Sequence, residues 1–394
     1  MKSFSFKLAP LALLIACGHT QEPEPEMPPA AEAEPAPAPQ ASAPPAQPPA
    51  TPPPPPADPA TVAAQQAAAE LQAEFATMET EAQQESARFT PELRAKVKPL
   101  AEAKYGSAAA ALKAILPGEH RAPGHADRDS QRHPKETLAF LGIKPTMTVL
   151  EYGPGEGWWT EILAPMLATS GKLIVTNGDP NGPRDVRSTL YAKRLQLFLD
   201  KAPELYGKVE TARVLDSKNP ELGLDGTVDV ALVFRGAHGW QNNGTTAAWL
   251  AQIHKALKPN GVLGIEQHRA KKDAEITAAS KNGYLPEKFL IEQIEQAGFK
   301  LAGKSEVNAN PKDTADHPHG VWSLPPSLRG GDVDRDKYIA IGESDRMTLK
   351  FKKAKVKAPA AAKEAAAPAG TPAAPGAATP APATPSAAAP AAAP

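Results

Sequence analysis

The chain has 394 residues, with 43 Lys plus Arg against 44 Asp plus Glu and a formal net charge of −1, a balance that gives no electrostatic footprint for nucleic acid. Its 45 prolines gather in two blocks near the ends, so the ends and the middle are different materials. The one cysteine excludes an internal disulfide framework, and the fold must rest on its core.

Residues 1–17 read as a lipoprotein signal: Lys2 and Lys7 supply a positive start, Leu8 to Ala16 is mostly apolar, and Leu14-Ile15-Ala16 precedes Cys17. The apolar run is too short to span a bilayer. The expectation is a lipid on Cys17 that ties the chain to the cell envelope, facing the periplasm. Gly18 and His19 stand where inner-membrane retention commonly places Asp, which points to the outer membrane. Residues 18–60 are almost entirely Pro, Ala, Glu and Gln and predict a disordered tether. Residues 356–394 predict an Ala/Pro-rich disordered tail for the same reason.

Residues 61–119 form a helical N-terminal segment. Positions 61–84 are rich in Ala, Gln and Glu without Gly or Pro, which favours a helix with a thin apolar face, a stalk or a marginal helix. A second pattern over 91–116 carries Leu93, Val97 and Leu100 and ends at Pro117-Gly118. From Met147 onward short β-type runs alternate with helical patterns: TVLEYG, KLIVTNG, VETARVL, VDVALVF, GVLGIEQ and a final pair. That order predicts an α/β domain over 120–355, a mostly parallel seven-stranded sheet with helices on both faces. Trp249, Ile253 and Leu257, and Leu290, Ile294 and Ala297, mark core-facing helix sides, with Gly261 and Gly298 expected at helix ends.

The strongest motif is Glu151-Tyr152-Gly153-Pro154-Gly155-Glu156-Gly157-Trp158-Trp159, between the strand ending in Val149-Leu150 and a helix starting near Trp159. Strand, glycine loop and helix in a βαβ series make a nucleotide-type site. A dinucleotide fingerprint needs G-x-G-x-x-G, but here bulky Trp158 holds the sixth place. The carboxylate of Glu151 would repel a pyrophosphate and attract an ammonium or sulfonium, while N–H groups at the helix start can hold a ligand carboxylate.

E-x-G-x-G-x-G after the first strand and LKPNGVLGIEQH at the fifth resemble class I S-adenosylmethionine-dependent methyltransferases, which have a Rossmann-like doubly wound fold. RDSQRHPKETLAFLGI (128–143), WWTEILAPML (158–167), GVWSLPPSLR (320–329) and IGESDRMTLKF (341–351) resemble, more narrowly, a family of predicted exported bacterial methyltransferases. The resemblance implies S-adenosylmethionine as cofactor, held by Glu151, Gly153, Pro154, Gly155 and Gly157. It places Asn177 at the ribose-binding strand end where the family usually has a carboxylate, with Asp179 as a substitute two residues on, and Asp216 beside the adenine amino group.

Methyl transfer from a sulfonium is an in-line displacement, so the protein supplies alignment and sometimes a base. In the loop after the fourth strand, His238 is the first choice for deprotonating or positioning the acceptor, and Arg235 suits an anionic group of the acceptor. His268, closing the fifth strand, points to the same edge. His133, Trp159 and Trp240 are candidates for substrate contact or a cap. Arg128, Asp129, Arg132 and Glu136 have the alternative of a structural ion-pair network. His317 and His319 beside Asp316 lack further ligands, so no metal is expected. Two functions follow: methyl transfer to a small-molecule or envelope acceptor by a lipid-anchored protein, or a catalytically silent module that binds a nucleoside or amino-acid-like ligand.

Overall fold

The computed structural model describes residues 58–354. The expected signal and lipid site at Cys17, nearly all of the tether and the 356–394 tail lie outside the described residues.

In chain order the elements are α1 (Pro59–Arg88), α2 (Pro91–Glu102), α3 (Ala108–Ile115), α4 (Asp129–Arg132), α5 (Pro134–Leu141), β1 (Thr148–Tyr152), α6 (Thr160–Leu167), β2 (Lys172–Asn177), α7 (Arg187–Asp200), α8 (Pro203–Tyr206) and β3 (Glu210–Arg213). They continue with β4 (Val228–Phe234), α9 (Ala237–Asn242), α10 (Thr246–Ala256), β5 (Leu257–His268), α11 (Ile276–Lys281), α12 (Glu287–Gln296), β6 (Phe299–Ser305), α13 (Arg335–Ile341) and β7 (Arg346–Lys353).

The strands form one seven-stranded sheet in the order β3-β2-β1-β4-β5-β7-β6. β1 to β5 pair in parallel, whereas β7 inserts antiparallel between β5 and β6. β4, with the sequence VDVALVF, is buried at all but its second residue, because a parallel strand is covered on both faces and cannot alternate. One face carries Val97, Ile115, Leu138, Ile162 and Leu195, and the other Trp240, Trp249, Ile253, Leu290 and Ile294. This is the expected Rossmann-like doubly wound arrangement, and the sheet's reversal between β1 and β4 opens a crevice at the strands' C-terminal edge.

The N-terminal helices depart from expectation in a way that packing explains. α1 is no free stalk: its Leu71, Phe75 and Met78 are buried against Leu190 of α7, and Glu74 and Glu79 pair with Arg187 and Arg184. The 91–116 pattern is two helices, because Ala103 is extended and Ser107 starts α3 by accepting from Ala110 N. Val97, Ala101, Ala111, Leu112 and Ile115 enter the same core cluster as α6, so 61–119 is part of the folded body rather than an appendage. Gly261 lies inside β5, where residues between Leu257 and Val262 bulge out of register with β4, and not at a helix end. Gly298 follows α12 at φ 90°, where it was expected.

Candidate functional site

β1 brings Glu151 and Tyr152 to the C-terminal edge of the sheet, and the chain then turns through the glycine loop into α6. Gly153 and Gly155 have φ of 54° and 63°, and a Cβ added to either would meet open space. A bare left-handed backbone there leaves room for a ligand to approach. Gly157 serves packing instead, since an added Cβ would lie 2.5 Å from the Phe198 ring. Trp158, which separates the loop from a dinucleotide fingerprint, is buried under the N-terminal segment. Its Nε1 donates to His125 O at 2.9 Å, and Arg132 and Arg121 lie over its ring.

Glu151 is 3% exposed. Thr160 Oγ1 donates to its Oε2 at 2.8 Å, and no ion pair to it is formed among the described residues. Burial pushes its pKa up to about 7, against the Thr160 hydrogen bond and the charge of Arg235. A buried carboxylate with no cation in ion-pair contact is costly to ionise until a cationic ligand arrives.

Two cavities meet at this loop and share Gly153, Pro154, Gly155, Arg235 and His238. The larger, of about 410 Å³, is walled by Thr176, Asn177, Tyr191, Leu195, Val214 and Trp249. The smaller, of about 280 Å³, is walled by Glu151, Trp159, Phe234, His268, Trp322 and Ser344. Both are clefts of the size that takes a nucleoside or another small ligand.

The second cavity is strongly charged on one side. Glu343 accepts from Arg128 Nε at 2.7 Å and Arg132 Nε at 2.9 Å, and it also binds Arg346. Arg346 Nε lies 3.1 Å from Glu266 Oε1. Burial pushes the Glu343 carboxyl up, but Arg346, Arg235 and Arg128 together hold it below the ordinary carboxylate range. Arg235 sits at φ 59° just past β4, its N–H donating to Glu266 O at 2.6 Å. Its guanidinium forms no hydrogen bond or ion pair among the described residues; burial lowers its pKa, and Glu266 and Glu343 act in the opposite direction.

Two histidines complete the site. Gln267 Nε2 lies 3.4 Å from His238 Nδ1, and Ser344 Oγ lies 2.6 Å from His268 Nδ1. The rings are 6.1 Å apart. Burial lowers the pKa of His238 to about 4 and that of His268 well below its ordinary value, so both imidazoles are neutral at pH 7.

The structure thus gathers Glu151, Gly153, Pro154, Gly155, Trp159, Asn177, Arg235, His238 and His268 around joined cavities. Asn177 is tied locally: its Nδ2 donates to Ala192 O and its Oδ1 accepts from Gly178 N. Asp179 accepts from Asn181 N, and Asp216 from Lys218 N and Asn219 Nδ2. Neither aspartate lines the cavities, although Ser217 beside Asp216 does. Trp240 is core, 1% exposed and stacked on Trp249, and His133 lies on another hollow, near Asn308. The expected ion-pair network exists with a different centre: Asp129 pairs with Arg121, while Arg128 and Arg132 converge on Glu343 and not on Glu136. His317 pairs with Asp313. Glu343, Ser344 and Trp322 had no assigned role in the sequence. Their signal was present only as the runs GVWSLPPSLR and IGESDRMTLKF.

Residues 126–302 match the family model described as a methyltransferase domain. A search of curated proteins finds no match. Among solved structures, an S-adenosylmethionine-dependent methyltransferase from Aquifex aeolicus is 19% identical, covering 58% of this chain and 93% of its own, with a TM-score of 0.37. The 1,6-didemethyltoxoflavin-N1-methyltransferase of Burkholderia thailandensis, solved with 1,6-didemethyltoxoflavin and S-adenosylhomocysteine, is 18% identical, covering 63% and 87%, with a TM-score of 0.35. An S-adenosylmethionine-dependent methyltransferase from Mesorhizobium loti is 13% identical, covering 55% and 96%, with a TM-score of 0.35.

Proposed function

We propose that the chain binds S-adenosylmethionine over the 151–157 loop and transfers its methyl group to a small acceptor in the cavity of His238 and His268. The observation that carries this reading is Glu151, a buried carboxylate without a cationic partner beside two glycines that leave the backbone bare. The methyltransferase-domain match over 126–302 supports it.

When bound, the cofactor supplies an electrophilic methyl group on a positively charged sulfur. Glu151 is placed to attract the cationic amino-acid end, and the walls formed by Tyr191, Leu195 and Val214 offer apolar surface to the base. Val321, Trp322, Pro325, Pro326 and Ser327 form one wall of the second cavity. The acceptor's proton becomes acidic only as its heavy atom gains the methyl group. A weakly basic, neutral imidazole at His238 or His268 therefore suffices to receive it.

Asn177 favours the second reading, a silent module that uses the same pocket. Its amide is engaged with Ala192 and Gly178, and it cannot accept two ribose hydroxyls as a carboxylate does. Calorimetry of the purified full-length chain with S-adenosylmethionine and S-adenosylhomocysteine tests binding. Both should bind at one site, and no heat with either, from a protein shown to be folded, would refute the reading. Detection of a methylated product in extract then separates the enzyme from the silent module. The reading also places the protein on the envelope through a lipid on Cys17, for which the leader sequence is the support. Cys17→Ala should move the protein to the soluble fraction, and retention in the membrane would contradict the anchor.

A further inference from the structure

We infer that the acceptor is a small acid whose carboxylate is seated on Arg235, with a separate hydroxyl or amine presented to His238 and His268 for methylation. The inference rests on the methyl-transfer reading and names the substrate class of that site.

Four guanidinium groups, those of Arg128, Arg132, Arg235 and Arg346, surround this end of the cleft with two carboxylates, Glu343 and Glu266, among them. Glu343 is shared by Arg128, Arg132 and Arg346, and Glu266 faces Arg346. Arg235 alone of the four has no hydrogen-bonded or ion-paired carboxylate among the described residues, and it lines both cavities. Glu151, the other buried carboxylate here, is taken by the cofactor's cation. The cluster is left with surplus positive charge around a half-buried Arg235, an excess that an entering anion offsets.

The planar fork of Arg235 matches a carboxylate through two parallel N–H···O bonds. Trp159, Phe234, Val321 and Trp322 give this cavity one apolar wall, beside the polar groups of His238, His268, Ser327 and Ser344. An acid with a flat apolar body fits both features. A carboxylate gripped in this way has its lone pairs engaged and is a poor nucleophile, so it serves as a handle. The methyl group goes to a second atom of the acceptor: a bond forms from its oxygen or nitrogen to the methyl carbon, and the carbon–sulfur bond breaks. Its electron pair stays on sulfur, giving S-adenosylhomocysteine, and the acceptor's proton passes to an imidazole.

The test uses the full-length chain saturated with S-adenosylhomocysteine and titrated with benzoate, benzamide and inorganic phosphate. Benzoate should bind at least tenfold more tightly than benzamide, its neutral isostere. Arg235→Gln should remove that preference, and Arg235→Lys should keep the preference for charge at reduced affinity. Benzamide binding as well as benzoate, or an undiminished preference in folded Arg235→Gln, would overturn the inference. Phosphate binding more tightly than benzoate would overturn the choice of a carboxylate. Should Arg235→Gln fail to fold, the wild-type comparison of benzoate with benzamide decides alone. Failure of S-adenosylhomocysteine to bind, with benzoate still preferred over benzamide, would remove the methyl-transfer reading and leave the acid site.

Discussion

Replacing Glu151 with Gln should make the protein more stable and a worse binder, and the size of both effects follows from one titration. The carboxyl is raised by burial from 4.5 to about 7 in the folded chain, so the folded state keeps a proton that the unfolded state releases at lower pH. The stability tied to this proton is fully present below pH 4.5 and is lost as pH rises through 7. At about 1.4 kcal/mol per pKa unit, the ionised side chain costs the folded state about 3 kcal/mol at pH 8. Gln keeps the shape and an oxygen for Thr160 but carries no charge. Urea denaturation at pH 8 should find Glu151→Gln more stable by about 2–3 kcal/mol, with the difference vanishing near pH 4.5. Binding runs the other way, because only the ionised carboxylate attracts a cation. Wild-type affinity for S-adenosylhomocysteine, which carries an ammonium, should rise about tenfold from pH 6 to pH 8 as the group ionises. The Gln variant should bind weakly and with no such rise. Equal stability at pH 8 together with an affinity indifferent to pH would refute the assignment of Glu151 as a cation acceptor.

Other perturbations separate the ligand surface from its support. Gly155→Val should abolish cofactor binding by calorimetry, because its side chain would project into the cleft from a left-handed backbone. Gly157→Ala should act on the fold, lowering urea stability by about 1–3 kcal/mol through the Phe198 ring. Glu343→Gln leaves Arg128, Arg132 and Arg346 without their shared carboxylate and should destabilise by about 3–5 kcal/mol in the same assay. Phe75→Ala should cost about 3–5 kcal/mol and expose 59–88 to limited proteolysis if α1 is docked as the structure shows. The His238 ring should stay neutral in nitrogen-15 NMR down to about pH 5, in keeping with its pKa of about 4; a midpoint near 6.5 would mean that its site is wet.

Much of the architecture was legible because it is written in local periods. The buried strand runs, the four-residue steps through Trp249 and Ile253, and the turn of glycines after Glu151 are contiguous signals. The charged half of the site was not, because its pairing is long-range. Arg128 and Glu343 are 215 positions apart, and Glu136, a nearer carboxylate, drew the assignment. α1 reads as a stalk for a related reason: only Leu71, Phe75 and Met78 of its 30 residues bury large apolar side chains, and the matching surface at Leu190 is what makes so thin a stripe sufficient. Asp179 and Asp216 were placed by their rank after strands. Their carboxylates instead close local turns, a competition with side-chain to backbone bonding that aspartate regularly enters.

The most direct measurement is a crystal structure of the chain grown with S-adenosylhomocysteine. Ligand density should run across the two joined cavities, with the amino-acid end beside Glu151 and Gly155 and the base between Tyr191 and Val214. Density for the ligand elsewhere, with the space above Gly153 and Gly155 closed by the protein's own side chains, would contradict a cofactor site at this loop.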